Sequence, residues 1–249
     1  MPSTQRSPAP WWRKSPPLEM HTRASRKEGE ERAARWGYRP FTIWFTGLSG
    51  AGKSTLAQAL DRWLLAHGTP CLLLDGDRLR MGLSQDLGFD AAARRENVRR
   101  AAELALLANE AGLPAVAALI SPLRADRETA RAIVGAARFV EVHLATPLPV
   151  CEQRDPKGLY RRARAGRLAA FTGISAPYET PIAPALRLDT SRLDVRDALQ
   201  ALSASLEAFR LHTAAVDAAI HAVPDAAPNR TPLPRVTDVT CLEPTSHLA

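Results

Sequence analysis

The sequence predicts an α/β fold in which a parallel sheet is covered by helices on both faces. Strands and helices alternate along the middle of the chain, and the strands are continuous apolar runs rather than alternating ones. Continuous runs of this kind are typical of strands that are buried on both faces of a sheet. The 249 residues suffice for one domain of ordinary size with additional terminal segments.

The predicted elements follow one another in a regular order. The first strand, FTIWFTG, leads to a helix over residues 54–67, whose leucines recur at helical spacing and which ends at Gly68. Further strands are predicted in the segments PCLLLDGD, PAVAALISP, FVEVHLAT and LRLDT. Further helices are predicted at residues 91–112, 125–137 and 193–209.

A glycine-rich loop directly after the first strand predicts the binding of a nucleoside triphosphate. It reads GLSGAGKST and fits the P-loop pattern G-x-x-x-x-G-K-[ST]. The glycines allow successive backbone N–H groups to point at phosphate oxygens, and the helix that follows directs its positive end at the same place. Lys53 is predicted to reach the β- and γ-phosphates, and the Ser54 hydroxyl to ligate Mg²⁺. The residues predicted to bind the nucleotide are Gly47, Leu48, Ser49, Gly50, Ala51, Gly52, Lys53, Ser54 and Thr55.

Two carboxylates follow the second predicted strand, in LDGD. Asp75 and Asp77 are expected at the carboxyl edge of the sheet beside the P-loop, where open α/β sheets bind ligands. Carboxylates there can hold Mg²⁺ or take a proton from an attacking hydroxyl, although Asp-Gly-Asp can also form a simple turn. The chain has no N-K-x-D motif for guanine and no strand that ends in Asp-Glu. A kinase is therefore favoured over a GTPase or a motor ATPase.

The positive charge is concentrated at the N-terminal end. Of the formal charge of +7, residues 1–40 contribute +5 and residues 213–249 contribute −2, which leaves +4 for the middle. We predict a disordered basic extension at 1–19, a P-loop domain at 20–212 with a charged helix at about 22–37, and a disordered Pro- and Ala-rich tail at 213–249. The modest charge of the middle disfavours a nucleic-acid partner.

Cysteine spacing and hydropathy bear on the compartment. Cys71, Cys151 and Cys241 are far apart and match no metal or disulfide spacing, which favours reduced thiols in a cytoplasmic protein. The stretch AVAALI is too short to cross a bilayer, so no membrane partner is expected. The first residues lack the apolar region of a secretory signal, whereas a transit peptide or a true start at Met20 is left open.

Six segments that follow the P-loop in order resemble the adenylylsulfate kinase family. They are LDGDRLR, DLGF, RRENVRR, LISPLRADR, RDPKGLYRRARAG and FTGISAPYE, and the resemblance covers roughly residues 20–210. Such kinases transfer the γ-phosphoryl group of ATP to the 3′-hydroxyl of adenylyl sulfate and form 3′-phosphoadenylyl sulfate. The resemblance therefore implies ATP and Mg²⁺, adenylyl sulfate as the small-molecule partner, a role in sulfate activation, and a homodimer.

The resemblance implies catalytic roles for Asp77, Lys53, Ser121 and Lys157. Asp77 is the expected general base, whereas Asp75 is better placed for Mg²⁺. Lys157 lies in a basic segment that resembles a lid, which neutralises developing charge and excludes water. The family marks Ser121 as a phosphoserine intermediate, although in-line transfer needs positioning and charge neutralisation rather than a covalent relay. Candidates for ATP phosphates or local ion pairs are Arg161, Arg162, Arg164 and Arg167.

The acceptor site is implied in the same way. Phe89 and Phe171 would enclose the adenine, and stacking of this kind contributes about 1–3 kcal/mol per base in nucleic-acid sites. The alternatives are core packing for each Phe and a surface ion pair for each Arg. The full set of implied acceptor contacts is Asp77, Arg80, Phe89, Arg94, Asn97, Ile120, Ser121, Lys157 and Phe171.

Four residues depart from the family pattern: Arg78, Ala93, Leu123 and Ser175. They stand where the family usually has Asn, Asp, an aromatic residue and Asp, respectively. None of them removes a residue of the P-loop, the Asp-Gly-Asp turn or the lid. Two other hypotheses remain: a P-loop kinase of a different small hydroxyl acceptor, and an inactive module that binds nucleotides or nucleic acid.

Overall fold

A computed structural model describes residues 27–32, 34, 35 and 38–206 of the chain. Residues 27–32, 34 and 35 are helical. The predicted basic extension at 1–19, the tail at 213–249 and the two ends of the charged helix proposed for 22–37 lie outside the described residues.

Five parallel strands make up the sheet of the described chain. They are β1 (Thr42–Gly47), β2 (Leu72–Asp75), β3 (Ala115–Ala118), β4 (Phe139–Leu144) and β5 (Leu186–Leu188). Their order in the sheet is β2-β3-β1-β4-β5, and every neighbouring pair is parallel. Thr42 of the central strand β1 is in register with Ala115 and Phe139. The parallel α/β sheet predicted from the sequence is confirmed.

The helices of the described chain alternate with these strands. They are α1 (Lys53–Ala66), α2 (Gly76–Arg80), α3 (Ala91–Glu110), α4 (Arg124–Val134), α5 (Leu148–Arg154) and α6 (Leu159–Arg164), and residues 195–206 are also helical. Sequence periodicity places α1, α3 and α4 to within a few residues but does not identify α2, α5 or α6, which are too short to show a helical period. Within the described residues, no helix combines the length and apolar character that a membrane span requires.

The core lies on both faces of the sheet. Side chains of successive residues point to opposite faces of a strand. Ile43 and Phe45 of β1 therefore pack in one buried cluster with Leu60 of α1. Trp44 points the other way and packs in a second cluster with Ala101 of α3. All five of these residues are fully buried, and the burial of three successive residues of β1 on both faces explains why β1 is an unbroken apolar run.

The carboxyl ends of the strands meet at one edge of the sheet. The P-loop follows β1, Asp75 ends β2, and Ile120 and Ser121 follow β3. The predicted third strand, residues 114–122, was too long: β3 ends at Ala118, and the chain then turns across the sheet edge. Ser121 has a φ of 36° in this turn, in a left-handed region that residues other than glycine seldom adopt. The turn brings residues 119–122 to the same edge as the P-loop.

Candidate active site

The P-loop is a tight turn that depends on glycine. Gly50 and Gly52 have φ angles of 76° and 92°, which side chains with a Cβ disfavour. A Cβ atom at Gly50 would also lie 2.7 Å from the backbone carbonyl oxygen of Cys151. Gly52 is the N-cap of α1, so the loop feeds directly into the first turn of that helix. The N–H groups of this turn have no partners within the helix and are available to an anion.

Side chains from α5 and α6 hold two carbonyl oxygens of the P-loop. The Tyr160 hydroxyl donates to the Ser49 oxygen at 2.9 Å, and the Arg154 guanidinium donates to the Gly50 oxygen at 3.2 Å. In a trans peptide the C=O and the following N–H point in opposite directions. Because Tyr160 and Arg154 hold the carbonyl groups of Ser49 and Gly50, the N–H groups that follow these carbonyls point away from the two side chains and towards the inside of the loop.

Two threonines complete this support. The Thr190 hydroxyl donates to the Ala51 carbonyl oxygen at 3.1 Å, and the Thr146 hydroxyl lies 3.4 Å from that oxygen and 2.8 Å from the Thr190 hydroxyl. Arg154 also donates to the Thr190 carbonyl oxygen at 2.6 Å. Sequence reasoning missed these supports, yet a signal was available. Both threonines are polar residues just after a buried strand, the same position that identified Asp75.

Lys53 is buried at the first turn of α1. Its ammonium group donates to the carbonyl oxygens of Gly47 and Leu48, at 2.9 and 2.7 Å. Burial disfavours the charged form and lowers the pKa of Lys53 to about 8, and this effect outweighs the opposing attraction of nearby groups such as Asp77. The lysine is therefore placed at the P-loop with its charge incompletely satisfied, as expected for a group that binds phosphate.

The predicted Mg²⁺ ligands are in direct contact. The Ser54 hydroxyl donates to Asp75 Oδ2 at 2.5 Å. Asp75 Oδ1 accepts the N–H groups of Asp77 and Arg78, at 2.9 and 3.3 Å, and so caps the N-terminus of α2. Hydroxyl and carboxylate oxygens fit Mg²⁺, which retains several waters and takes few protein ligands. No group of three or more His, Cys, Asp or Glu that could hold a metal occurs in the described part of the chain.

The predicted base and the predicted lid lysine form an ion pair. Lys157 donates to Asp77 Oδ2 across 80 residues of chain. The Asp77 and Lys157 side chains are 65% and 51% exposed. Exposed pairs of this kind add little to stability because water screens them. Either charge can therefore exchange its partner for a charged ligand at small cost.

Two arginines organise the loops on which the predicted adenine contacts lie. The guanidinium of Arg80 lies 4.4 Å from the centroid of the Phe89 ring. Arg94 donates to the Phe89 carbonyl oxygen at 2.8 Å, to the Ala170 carbonyl oxygen at 2.6 Å and to the Thr172 hydroxyl at 2.7 Å. Arg94 thus joins the loop before α3 to the loop after α6, and brings the two predicted aromatic contacts to one side of the site.

The two phenylalanines differ in environment. Phe89 is 66% exposed, whereas Phe171 is 7% exposed and packs edge-on against Tyr160 with ring centroids 5.0 Å apart. Phe171 therefore has the core packing that the sequence left as an alternative. Ser175, one of the four departures, accepts the N–H of Phe171 on its hydroxyl at 2.9 Å. Its oxygen fixes the turn at the position where the family has an Asp.

Of three further predicted contacts, Asn97 on α3 and Ser121 after β3 are buried, and Ile120 is partly buried. Asn97 is 5% exposed, and its Oδ1 has no hydrogen-bond partner among the described residues. The Ile120 carbonyl oxygen accepts from the Thr46 hydroxyl at 2.8 Å. Ser121 is 2% exposed, and its Oγ accepts from the indole N–H of Trp44 at 3.1 Å. A cleft of about 560 Å³ lies between Leu48 of the P-loop and residues 173–178.

The remaining lid arginines lie at the surface. Arg164 forms a two-bond ion pair with Glu152, at 2.8 and 3.0 Å, which is the local pairing that the sequence left open. The other three arginines are exposed: Arg161, Arg162 and Arg167. Asp155 caps α6 by accepting the N–H groups of Tyr160 and Arg161, so the start of the lid segment is fixed to α5.

Residues 39–189 match a family model described as adenylylsulphate kinase. An adenylyl-sulfate kinase from Shewanella amazonensis is 57% identical over 165 residues, which are 66% of this chain and 83% of that protein. The structure of an APS kinase from Mycobacterium tuberculosis in complex with AMPPNP and APS is 46% identical, covers 68% of this chain and 99% of its own, and has a TM-score of 0.66. A hexameric APS kinase from Thiobacillus denitrificans is 36% identical, with a TM-score of 0.52, and the match covers 68% of this chain and 29% of that one.

Proposed function

Because the chain belongs to the adenylylsulphate kinase family, we propose that it transfers the γ-phosphoryl group of ATP to the 3′-hydroxyl of adenylyl sulfate. The products are ADP and 3′-phosphoadenylyl sulfate, the activated sulfate used in assimilation and sulfation. The observation that carries this proposal is the extent of the family match, because residues 39–189 include every predicted catalytic, nucleotide-binding and acceptor-binding residue.

ATP is the donor in this proposal. The P-loop and the buried ammonium of Lys53 support it, since inward N–H groups and one lysine are the usual means of binding the β- and γ-phosphates. The relative from M. tuberculosis was solved with AMPPNP, an ATP analogue. The contact between Ser54 and Asp75 supports Mg²⁺ as the cofactor, and a bound Mg²⁺ would neutralise phosphate charge.

Asp77 is proposed as the general base and Lys157 as a lysine of the acceptor site. Their ion pair supports this assignment because it brings a proton acceptor and a cation together beside the P-loop. Lys157 would leave Asp77 for the phosphosulfate of the acceptor, which would free the carboxylate to accept the proton of the 3′-hydroxyl. The exposure of both side chains makes such an exchange feasible.

The proposed acceptor site comprises the residues gathered by Arg94 and those at the end of β3. The unpartnered Asn97 oxygen supports it, because a buried acceptor without a donor is costly unless a ligand supplies one. In this proposal the adenine amino group of adenylyl sulfate supplies that donor. Ser121 is proposed as a lining residue rather than a phosphorylated one, since its hydroxyl is occupied by Trp44.

Assembly and location complete the proposal. We propose a homodimer, and light scattering on the purified chain would distinguish it from the hexamer that is described for the T. denitrificans relative. We also propose a cytoplasmic location, which is supported by the two free cysteines of the described chain, Cys71 and Cys151.

The decisive experiment follows ADP and 3′-phosphoadenylyl sulfate after the purified chain is mixed with ATP, Mg²⁺ and adenylyl sulfate. We expect turnover by the wild-type chain and a loss of at least about 100-fold in kcat for Asp77→Asn, the range in which general bases contribute. Asp86→Asn is a matched control, because Asp86 is also exposed and paired, with Arg100, away from the P-loop.

A parallel arm replaces adenylyl sulfate with AMP as the acceptor. Preference for AMP or for another alcohol would favour a kinase of a different acceptor. ATP binding without any turnover would favour an inactive nucleotide-binding module and would contradict the proposed function.

A further inference from the structure

The segment that contains Tyr178 and Glu179 packs against the loop between β3 and α4, which carries Ile120 and Ser121. The Glu179 N–H donates to the Pro122 carbonyl oxygen at 2.8 Å. Beside this bond, Arg124 Nε donates to the Thr180 carbonyl oxygen at 3.1 Å. The two segments are more than 50 residues apart in the chain, so the contact is a tertiary one that the fold has to build.

The Glu179 carboxylate caps helix α4 from outside the helix. The N-cap residue of α4, Leu123, has no side-chain oxygen and makes no capping bond. Glu179 Oε2 instead accepts the N–H of Arg124 at 2.7 Å. A carboxylate at a helix N-terminus satisfies an unpaired donor and interacts favourably with the helix dipole. The end of the β3–α4 loop is therefore fixed by a residue that belongs to another segment.

Arg127 fixes the middle of the same loop. Its side chain is 3% exposed and donates three hydrogen bonds, each 2.7 Å long. The acceptors are Oε1 of Glu141 on β4, the carbonyl oxygen of Ser121 and the carbonyl oxygen of Glu179. The planar guanidinium can join three groups in fixed directions, which a lysine cannot do. Arg127 thus ties Ser121 to both the sheet and the Glu179 segment.

A third connection passes through the end of β1. The Tyr178 hydroxyl lies 3.0 Å from the Thr46 hydroxyl, which donates to the carbonyl oxygen of Ile120 at 2.8 Å. Because Thr46 uses its proton on Ile120, Tyr178 is the donor to Thr46. Thr46 is fully buried and directly precedes the P-loop. These bonds therefore fix the position of Ile120 relative to β1, the strand that leads into the P-loop.

We propose that Tyr178, Glu179 and Arg127, which we call the acceptor clamp, are positioning residues that hold Ile120 and Ser121 where adenylyl sulfate binds. The inference rests on the proposed function. The clamp contacts the carbonyl groups of the β3–α4 loop and the N-terminus of α4. It therefore sets the position of the loop and does not touch the reacting atoms. Its loss weakens acceptor binding and leaves the P-loop contacts to ATP intact.

The test compares Glu179→Ala with Glu179→Gln in steady-state kinetics on the full chain. Glutamine retains an oxygen that can accept the Arg124 N–H, whereas alanine does not. For Glu179→Ala we expect the KM for adenylyl sulfate to rise about tenfold and kcat/KM to fall with it, with the KM for ATP unchanged within about twofold. Glu179→Gln should remain close to the wild type. Tyr178→Phe, which removes one hydroxyl, should shift the acceptor KM in the same direction.

Thr129→Gly separates positioning from a loss of helix stability. Thr129 is exposed on α4, and among the described residues its hydroxyl bonds only within that helix, to the Ala125 carbonyl oxygen. Glycine there weakens α4 without touching the clamp. We expect neither KM to change. An unchanged acceptor KM in Glu179→Ala, or a change that Thr129→Gly reproduces, would overturn the inference alone. Absence of turnover by the wild-type chain would overturn the proposed function, and the inference with it.

Discussion

The lowered pKa of Lys53 predicts that nucleotide binding takes up a proton. In the protein without nucleotide, burial lowers this pKa to about 8. Phosphate groups beside the ammonium favour its charged form and raise the pKa in the complex. Between about pH 8 and the raised value, the complex therefore holds more protons than the free protein. By linkage, affinity for the nucleotide falls as the pH rises through about 8.

The size of the effect follows from the fraction of Lys53 that is deprotonated. With a pKa of about 8, this fraction is ~0.1 at pH 7, about one half at pH 8 and ~0.9 at pH 9. The same numbers give the protons taken up per bound nucleotide. The dissociation constant should consequently rise about fivefold between pH 8 and pH 9, equivalent to ~1 kcal/mol.

The assay is calorimetric titration of AMPPNP with Mg²⁺ into the chain at pH 7, 8 and 9. Two buffers of different ionisation enthalpy at each pH give the proton uptake directly. Lys53→Arg is the matched control, because a guanidinium stays protonated throughout this range. The nucleotide's own proton exchange is common to both proteins, so the difference in uptake between the wild type and Lys53→Arg is the proton taken up by Lys53. A wild-type uptake that does not change between pH 7 and pH 9, or equal uptake by Lys53→Arg, would refute the reasoning.

Three further outcomes are expected. Ser121→Ala should retain turnover within about tenfold, measured by product formation, because a lining residue transfers no phosphoryl group; complete loss would support a phosphoserine. Gly50→Ala should abolish nucleotide binding in the same calorimetric assay, because its Cβ would clash with a facing carbonyl oxygen. Arg127→Met should lower the free energy of unfolding by roughly 3–5 kcal/mol in urea titrations, because it leaves the buried Glu141 carboxylate without its closest partner. Adding Glu141→Gln should recover part of that loss, and no recovery would argue against the charge as the cause.

Local patterns in the sequence predict the order of elements but not their arrangement. Continuous apolar runs identify the strands, and the P-loop identifies the end of β1. The order β2-β3-β1-β4-β5 cannot be read from such patterns, because it depends on which strands pair across long separations. The helices α5 and α6 were missed because seven and six residues are too few for a helical period, and α6 depends on the Asp155 cap.

In the candidate site, too, local sequence patterns predict some residues, whereas contacts between distant parts of the chain determine the others. Lys53, Ser54 and Asp75 were predictable because a motif or a strand end fixes their places in the chain. The bond from Tyr160 to the P-loop was not predictable, since it joins residues 111 positions apart. Phe171 shows why residue type alone is insufficient: an aromatic side chain suits either a base or a core, and only the fold places it against Tyr160.

The hydrogen bonds that hold the P-loop carbonyl groups determine which of the two substrates loses more protein conformational entropy when it binds. The carbonyl groups of Ser49, Gly50 and Ala51 are already bonded to Tyr160, Arg154 and the two threonines, so a nucleotide meets a loop whose shape is set before binding. Phe89 and Lys157, in contrast, are exposed and have to lose side-chain freedom when a ligand arrives. The entropy of immobilisation therefore falls mainly on the acceptor. A change that stiffens the segments carrying Phe89 and Lys157 should consequently raise the affinity for the acceptor more than the affinity for the nucleotide.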